Sequence, residues 1–136
     1  MGEAASIDLI RMERGYKAIA RQDWDEVTAL YDPEIEWIDP PEVPDGGTHV
    51  GIEAVKQSWK NYLDALEDWT LQPLEVLVGE DEIFVRSHMT GKARIGGIPL
   101  DMDVFQVWTA RDGMLVRHRG FLDRKAALKA AGLDPD

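Results

Sequence analysis

The sequence predicts an α+β fold: a curved antiparallel sheet with helices packed on its concave face. Three observations predict it. Apolar residues recur at helical spacing through the N-terminal half and at strand spacing through the C-terminal half. The strand-like segments are joined by connections too short for a parallel crossover, so they pair antiparallel. The order is helix, helix, strand, helix and then a four-strand meander, and segregated elements of this kind bury their apolar faces as helices on a sheet. A curved sheet covered in this way encloses a conical space, which is either filled core or a ligand cavity.

Ser6–Arg21 opens the chain as a helix. Leu9, Met12, Tyr16 and Ile19 are spaced three and four apart and share one face. The run DWDE starts a second helix, with Asp23 as cap and Glu26 three residues on, and Trp24, Val27 and Tyr31 on one side. Pro33 ends it. Then IEWID alternates Ile35, Trp37 and Asp39 against Glu36 and Ile38, a strand closed by Pro40 and Pro41. The Pro- and Gly-rich stretch PEVPDGGTHVG reads as an irregular loop. Ile52–Glu67 is the third helix. Leu71–Val78, Glu82–Ile95, Pro99–Ala110 and Met114–Leu122 are strands, punctuated by GED, GG and RDG, of which Asp112–Gly113 is the strongest hairpin signal. Arg124–Ala131 is a last helix that stops at Gly132.

With 136 residues, the chain has the length of one domain, taken as 1–136, and enough core to stand without staples. The absence of cysteine excludes disulfides, thiolate nucleophiles and Cys-built metal sites, and fits a reducing cytoplasm. The N-terminus has no apolar core of the signal-peptide type, and no stretch approaches the roughly 20 apolar residues of a membrane span. The net charge of −11 repels phosphate backbones and anionic membranes, so neither nucleic acid nor membrane is an expected partner. The three histidines show no HxH or HExxH spacing, and no phosphate loop or nucleophile elbow occurs, so neither metal nor cofactor is expected.

The segments ARQDWDEVTALYDPEIEWIDPP, GIEAVKQSWKNYLDALEDW, VFQVWTARDGMLVRHRGFLD and KAALKAAGL, taken together and in order, give the chain a family likeness. It resembles the NTF2-like α+β cone fold and, within it, the SnoaL-like, ketosteroid-isomerase-like group. The resemblance implies a pocket and leaves the chemistry open, because this fold hosts isomerases, cyclases, hydrolases, dehydratases and binding proteins. In ketosteroid isomerases the general base is an Asp before Pro at the end of the first strand, which Asp39–Pro40 matches. Their oxyanion hole uses an Asp two residues before a Phe, which Asp103 in DVF matches, and a Tyr on the first helix. Aligning on QDWDE puts Gly15 at that tyrosine position and Tyr16 one residue on, a rotation of about 100° on a helix. The Arg-x-Asp pair of limonene-epoxide-hydrolase-like relatives is not reproduced by RSH. Strand alternation turns Ser87 and Met89 inward there, and Arg86 and His88 outward.

Four residues are therefore candidates for acid–base work. Asp39 shares a face with Ile35 and Trp37; its other reading is a turn-capping Asp before proline. Asp103 is expected in the pocket on the face of Asp101, Phe105 and Val107; its other reading is a rim carboxylate. His118 faces inward with Gly120 and Leu122, either as an acid, base or carbonyl donor or as a structural histidine. Tyr16 is the fourth. Trp37, Trp59, Tyr62, Phe105 and Gly120 are expected to bound the ligand space, which suits a flat hydrophobic molecule. His49 is expected at the surface, and His88 in solvent or at a subunit contact. Met102, Val104 and Trp108 are expected on the outer face, which with the family habit implies a homodimer. Two functions stay open: a cofactor-independent acid–base enzyme of isomerase or cyclase type acting on a hydrophobic carbonyl compound, and a non-catalytic small-molecule binding or interaction protein.

Overall fold

The computed structural model describes residues 2–43 and 46–135. After a 3-10 turn at Glu3–Ser6 the chain forms α1 (Leu9–Ala18), α2 (Trp24–Val27), β1 (Tyr31–Ile38), β2 (Thr48–Val50), α3 (Ile52–Asp64), β3 (Leu66–Val78), β4 (Glu82–Ala93), β5 (Pro99–Arg111), β6 (Met114–Phe121) and α4 (Arg124–Ala130). Asp23 caps α2 as expected, and two further aspartates that sequence reasoning did not single out, Asp8 and Asp123, cap α1 and α4; each of the three accepts a backbone N–H. The β5–β6 hairpin turns through Asp112 and Gly113, both at positive φ (54° and 77°), the geometry that matches strand twist. Three boundaries differ from expectation. Pro33 lies inside β1, because α2 is a single turn and the strand begins at Tyr31. β3 starts five residues earlier than Leu71, at Leu66. The loop after β1 contains β2, whose three residues are too few to show a period.

The six strands form one sheet in the order β2-β1-β6-β5-β4-β3. The meander β3–β6 is antiparallel; β1 joins it parallel to β6, and β2 pairs antiparallel with β1. Bulges in β3 between Glu67 and Thr70, and between Pro73 and Glu75, bend the long β3–β4 ribbon. Gly91 permits the bend: a Cβ there would stand 3.2 Å from the Trp69 Cα. The concave face carries Ile83, Val85, Ser87 and Met89 from β4 opposite Trp108, Gln106, Val104 and Met102 from β5. With α1, α2, α3 and β1 these bound the main core. A second, smaller core forms on the convex face, where α4 lays Ala127, Leu128 and Ala131 on Phe84, Phe105 and Val107.

The inner and outer faces of β5 are thus opposite to those expected. Met102, Val104 and Trp108 point into the concave side, and Asp103 points out. The cause is a register shift. At the turn Arg111 faces Met114 and Ala110 faces Leu115, but a bulge between Thr109 and Ala110 moves the pairing by one, so His118 faces Trp108 and not Val107. An unbulged hairpin would have put Asp103, Phe105 and Val107 inside with His118. The apolar outer set that suggested a subunit contact is therefore cavity wall.

Candidate functional site

The concave side encloses a cavity of about 1060 Å³. Its walls are aromatic. Trp37, Trp59, Trp69 and Trp108 line it with Tyr16, Tyr31 and Tyr62. The rings pack edge to face: Trp37–Trp108 centroids are 5.5 Å apart, Trp59–Trp69 5.5 Å and Trp59–Tyr62 5.7 Å. Such contacts hold the rings without filling the space between them. Trp59 and Tyr62 come from α3, one turn apart, and are only partly covered by protein. The Trp59 indole N–H is buried with no hydrogen-bond partner among the described residues.

Tyr16 enters this wall from α1. Gly15, at the position the resemblance gives to a tyrosine, instead lets α2 approach: a Cβ there would be 3.2 Å from the Val27 carbonyl oxygen. The Tyr16 hydroxyl accepts from Trp108 Nε1 (2.7 Å) and donates to Gln106 Oε1 (3.1 Å). Ser87 Oγ donates to the same oxygen at 2.8 Å. Burial holds the Tyr16 hydroxyl well above its ordinary pKa, so it stays protonated.

His118 lies flat against Trp37, ring centroids 3.7 Å apart and planes 16° from parallel. Parallel register of β1 on β6 places the two side by side. The imidazole is buried, its Nδ1 has no hydrogen-bond partner, and burial pushes its pKa down to about 3. At neutral pH it is an uncharged ring. It lines the cavity as expected, as a neutral group.

Asp39 follows β1 at the cavity rim, on the face of Trp37. Its backbone N–H donates to the Gly47 carbonyl (2.9 Å), so the two strands stay paired to their ends. Its Oδ2 lies 3.2 Å from Nε2 of His49, carried in by β2, and both side chains are mostly covered. Sequence reasoning missed His49. The signal was its placement between two glycines in THV, too short for periodicity to act on. Gly120 borders the same corner: a Cβ there would be 2.8 Å from Pro40 Cδ, so only glycine lets the Asp39–Pro40 segment close over β6.

Asp103 is elsewhere. On the convex face it accepts from Arg86 Nη1 (3.3 Å) and pairs with His88 Nδ1 (2.8 Å). The His88 contact first, and then Arg86, holds its carboxyl below the usual range. A half-exposed carboxylate held by Arg86 and His88 on the convex face cannot reach a ligand on the other side of the sheet, so Asp103 does not stand in the pocket as expected. Phe105 borders the cavity, but its ring stacks on Phe84 in the second core at 5.9 Å. Tyr16, His118, Asp39, Trp37, Trp59, Tyr62 and Gly120 are brought to one space; Asp103 is not.

Solved structures share this fold. Over 91% of this chain and 97% of the other, it superposes on TerC co-crystallised with polyporic acid, at 21% identity and a TM-score of 0.74. An NTF2-like protein of unknown function from Burkholderia pseudomallei matches over 95% and 97%, at 20% identity and 0.75. A putative SnoaL-like polyketide cyclase from Jannaschia sp. CCS1 matches over 93% and 92%, at 20% and 0.71. At these identities the likeness is one of fold, which is NTF2-like. No curated protein matches the chain. No helix among the described residues is long and apolar enough to cross a membrane. The family model of the SnoaL-like domain matches residues 12–118, and the chain belongs to that family.

Proposed function

We propose that the chain binds a flat, hydrophobic carbonyl compound in the aromatic cavity and transfers a proton from its activated carbon, with Asp39 as the base. The observation that carries this reading is the place of Asp39 beside the aromatic wall, on the strand face of Trp37, with its carboxylate held by His49. Asp39 Oδ2 is engaged by His49, while Oδ1 has no partner among the described residues and is left for a ligand. The imidazole fixes the carboxylate's orientation, which is the larger part of making a weak base effective. In the step itself, Oδ1 takes the proton, the C–H electron pair becomes the enolate, and the partly exposed carboxyl exchanges its proton with water before giving one back. TerC with polyporic acid supports the ligand class by analogy of fold alone.

Deuterium exchange at C1 of 2-tetralone in D2O, followed by proton NMR, tests the reading. The protein should accelerate exchange. Asp39→Asn should lower the rate at least a hundredfold with the fold intact by circular dichroism. An unchanged rate in that variant would remove Asp39 from the mechanism.

A second reading, passive binding, is favoured by the state of the deeper groups: the Tyr16 proton is committed to Gln106, and His118 is neutral. Tight binding of 2-tetralone with no acceleration of exchange is its expected result.

A further inference from the structure

We infer that the side-chain amide N–H groups of Gln106 form a hydrogen-bond donor site for an oxygen atom of the ligand, set across Gly120 from Asp39. The inference rests on the binding reading above and names the feature of the ligand that the site selects.

The hydrogen-bond chain fixes which way the amide points. The Trp108 indole N–H can only donate, so the Tyr16 oxygen accepts and its own proton goes on to Gln106 at 3.1 Å. Were the amide reversed, the Tyr16 proton would have no acceptor among the described residues. The Ser87 hydroxyl donates to the same oxygen at 2.8 Å. Both lone pairs of the amide oxygen are therefore used by protein. The amide nitrogen, with two N–H groups, makes no hydrogen bond among the described residues, although Gln106 is only 8% exposed and lines the cavity. The nitrogen is not among the fully buried unpartnered atoms, so it keeps access to the cavity space, where a ligand acceptor can take its N–H.

The sheet then sets the spacing. Gln106 faces Gly120 across the β5–β6 ladder. Ile38 faces Arg119 across β1–β6, so the next step along both strands brings Asp39 beside Gly120, where Pro40 closes on it. Asp39, Gly120 and Gln106 form one row across three strands. Strands are spaced about 4.8 Å apart, so the outer two backbones stand about 10 Å apart with no side chain between them. A fused ring lying over Gly120 meets a proton acceptor on one side and a fixed donor on the other. The donor matches a ketone or phenolate oxygen, whose negative charge grows as the proton leaves.

The test compares 2-tetralone with tetralin, its hydrocarbon counterpart, by quenching of tryptophan fluorescence. Gln106→Glu keeps an acceptor for Tyr16 and Ser87 and removes the donor. It should lower the affinity for 2-tetralone about five- to tenfold relative to tetralin. A ratio unchanged within about twofold would overturn the inference. Because a buried Glu can disturb folding, the unmodified protein gives a second measurement. The Gln106 side-chain amide protons in a 15N-labelled sample should move downfield with 2-tetralone and not with tetralin; identical responses to both would also overturn it. If the ratio falls in Gln106→Glu while the unmodified protein exchanges no deuterium, proton transfer fails and the donor stands. If exchange is accelerated but neither ratio nor amide signal responds, the donor fails and the base stands.

Discussion

His118 and His88 lie on β6 and β4, separated by β5, and occupy opposite faces of one sheet. His118 is buried against Trp37 with no counter-charge, and burial takes its pKa down to about 3. His88 stands in solvent between two carboxylates, Asp101 Oδ1 at 2.7 Å from Nε2 and Asp103 Oδ1 at 2.8 Å from Nδ1. The bond to Asp103 first, then that to Asp101, raises its pKa. The same side-chain type is thus shifted in opposite directions on the two faces. The aromatic part of the concave face holds its buried polar groups Tyr16, Gln106 and His118 uncharged, while the charged lining residues Arg11, Glu26, Asp39 and Glu42 are all at least partly exposed. The convex face gathers charge into a chain from Asp101 through His88, Asp103, Arg86 and Glu75 to Arg124.

The largest break in this contrast comes from removing the ring that shields His118. Trp37 also packs against Tyr31, Trp59 and Trp108. Trp37→Ala should cost about 3–5 kcal/mol in urea unfolding, through lost burial and a cavity extension that the sheet cannot collapse. A loss under about 1 kcal/mol would mean that the aromatic wall is not part of the main core.

Acid should act next, and in mildly acidic solution it acts through the concave histidine. The unfolded chain protonates His118 near its ordinary value of about 6.5, while the folded protein resists until about 3. The unfolded state therefore binds more protons in that window, and stability falls as pH drops through it, by about 1.4 kcal/mol per pH unit. Between pH 6.5 and pH 5 this amounts to about 2 kcal/mol. His118→Phe keeps the stack on Trp37 and removes the titration. Its acid loss over that range should be smaller than that of the unmodified protein by about the same amount. Parallel losses in the two proteins would show that water reaches the imidazole.

How far these features could be read in the sequence depended on whether local chemistry or long-range register set them. The Asp23 cap, the Asp112–Gly113 turn and the inward set of β4 are local, and each was legible. So was the cone. The cavity's two polar partners were not. His49 sits in a strand of three residues, and Asp39 meets it only because β2 folds back on β1. Gln106 looked like one polar residue in an apolar strand, with nothing to tell that Ser87 and Tyr16 would converge on it. Asp103 shows the hardest case. Both sides of β5 are rich in apolar residues, because α4 covers one and the cavity wall uses the other, so hydrophobic pattern could not choose between them. The deciding feature was one extra residue, Val116 of β6, opposite the Thr109–Ala110 step, and no residue type in LVR announces a bulge.

The smallest expected effect is the sharpest test of that assignment. Asp103→Asn removes one carboxylate from His88 and touches nothing in the cavity. In the unmodified protein the His88 imidazole should titrate above its ordinary value, and its stabilising pairs are complete below about pH 6.5 and are lost as pH rises through the raised folded value. The substitution should bring the midpoint down, short of the ordinary value, because Asp101 still holds Nε2. Proton NMR of the histidine ring signals reads this directly, with His118 silent over the same range. Exchange of 2-tetralone and its binding should not change, since the carboxylate lies across the sheet from the aromatic rings. The opposite pair of results, an unmoved His88 midpoint with lost exchange, would put Asp103 inside. It would remove the bulge as the reason for the inverted strand, and the resemblance to the isomerase oxyanion hole would regain its residue.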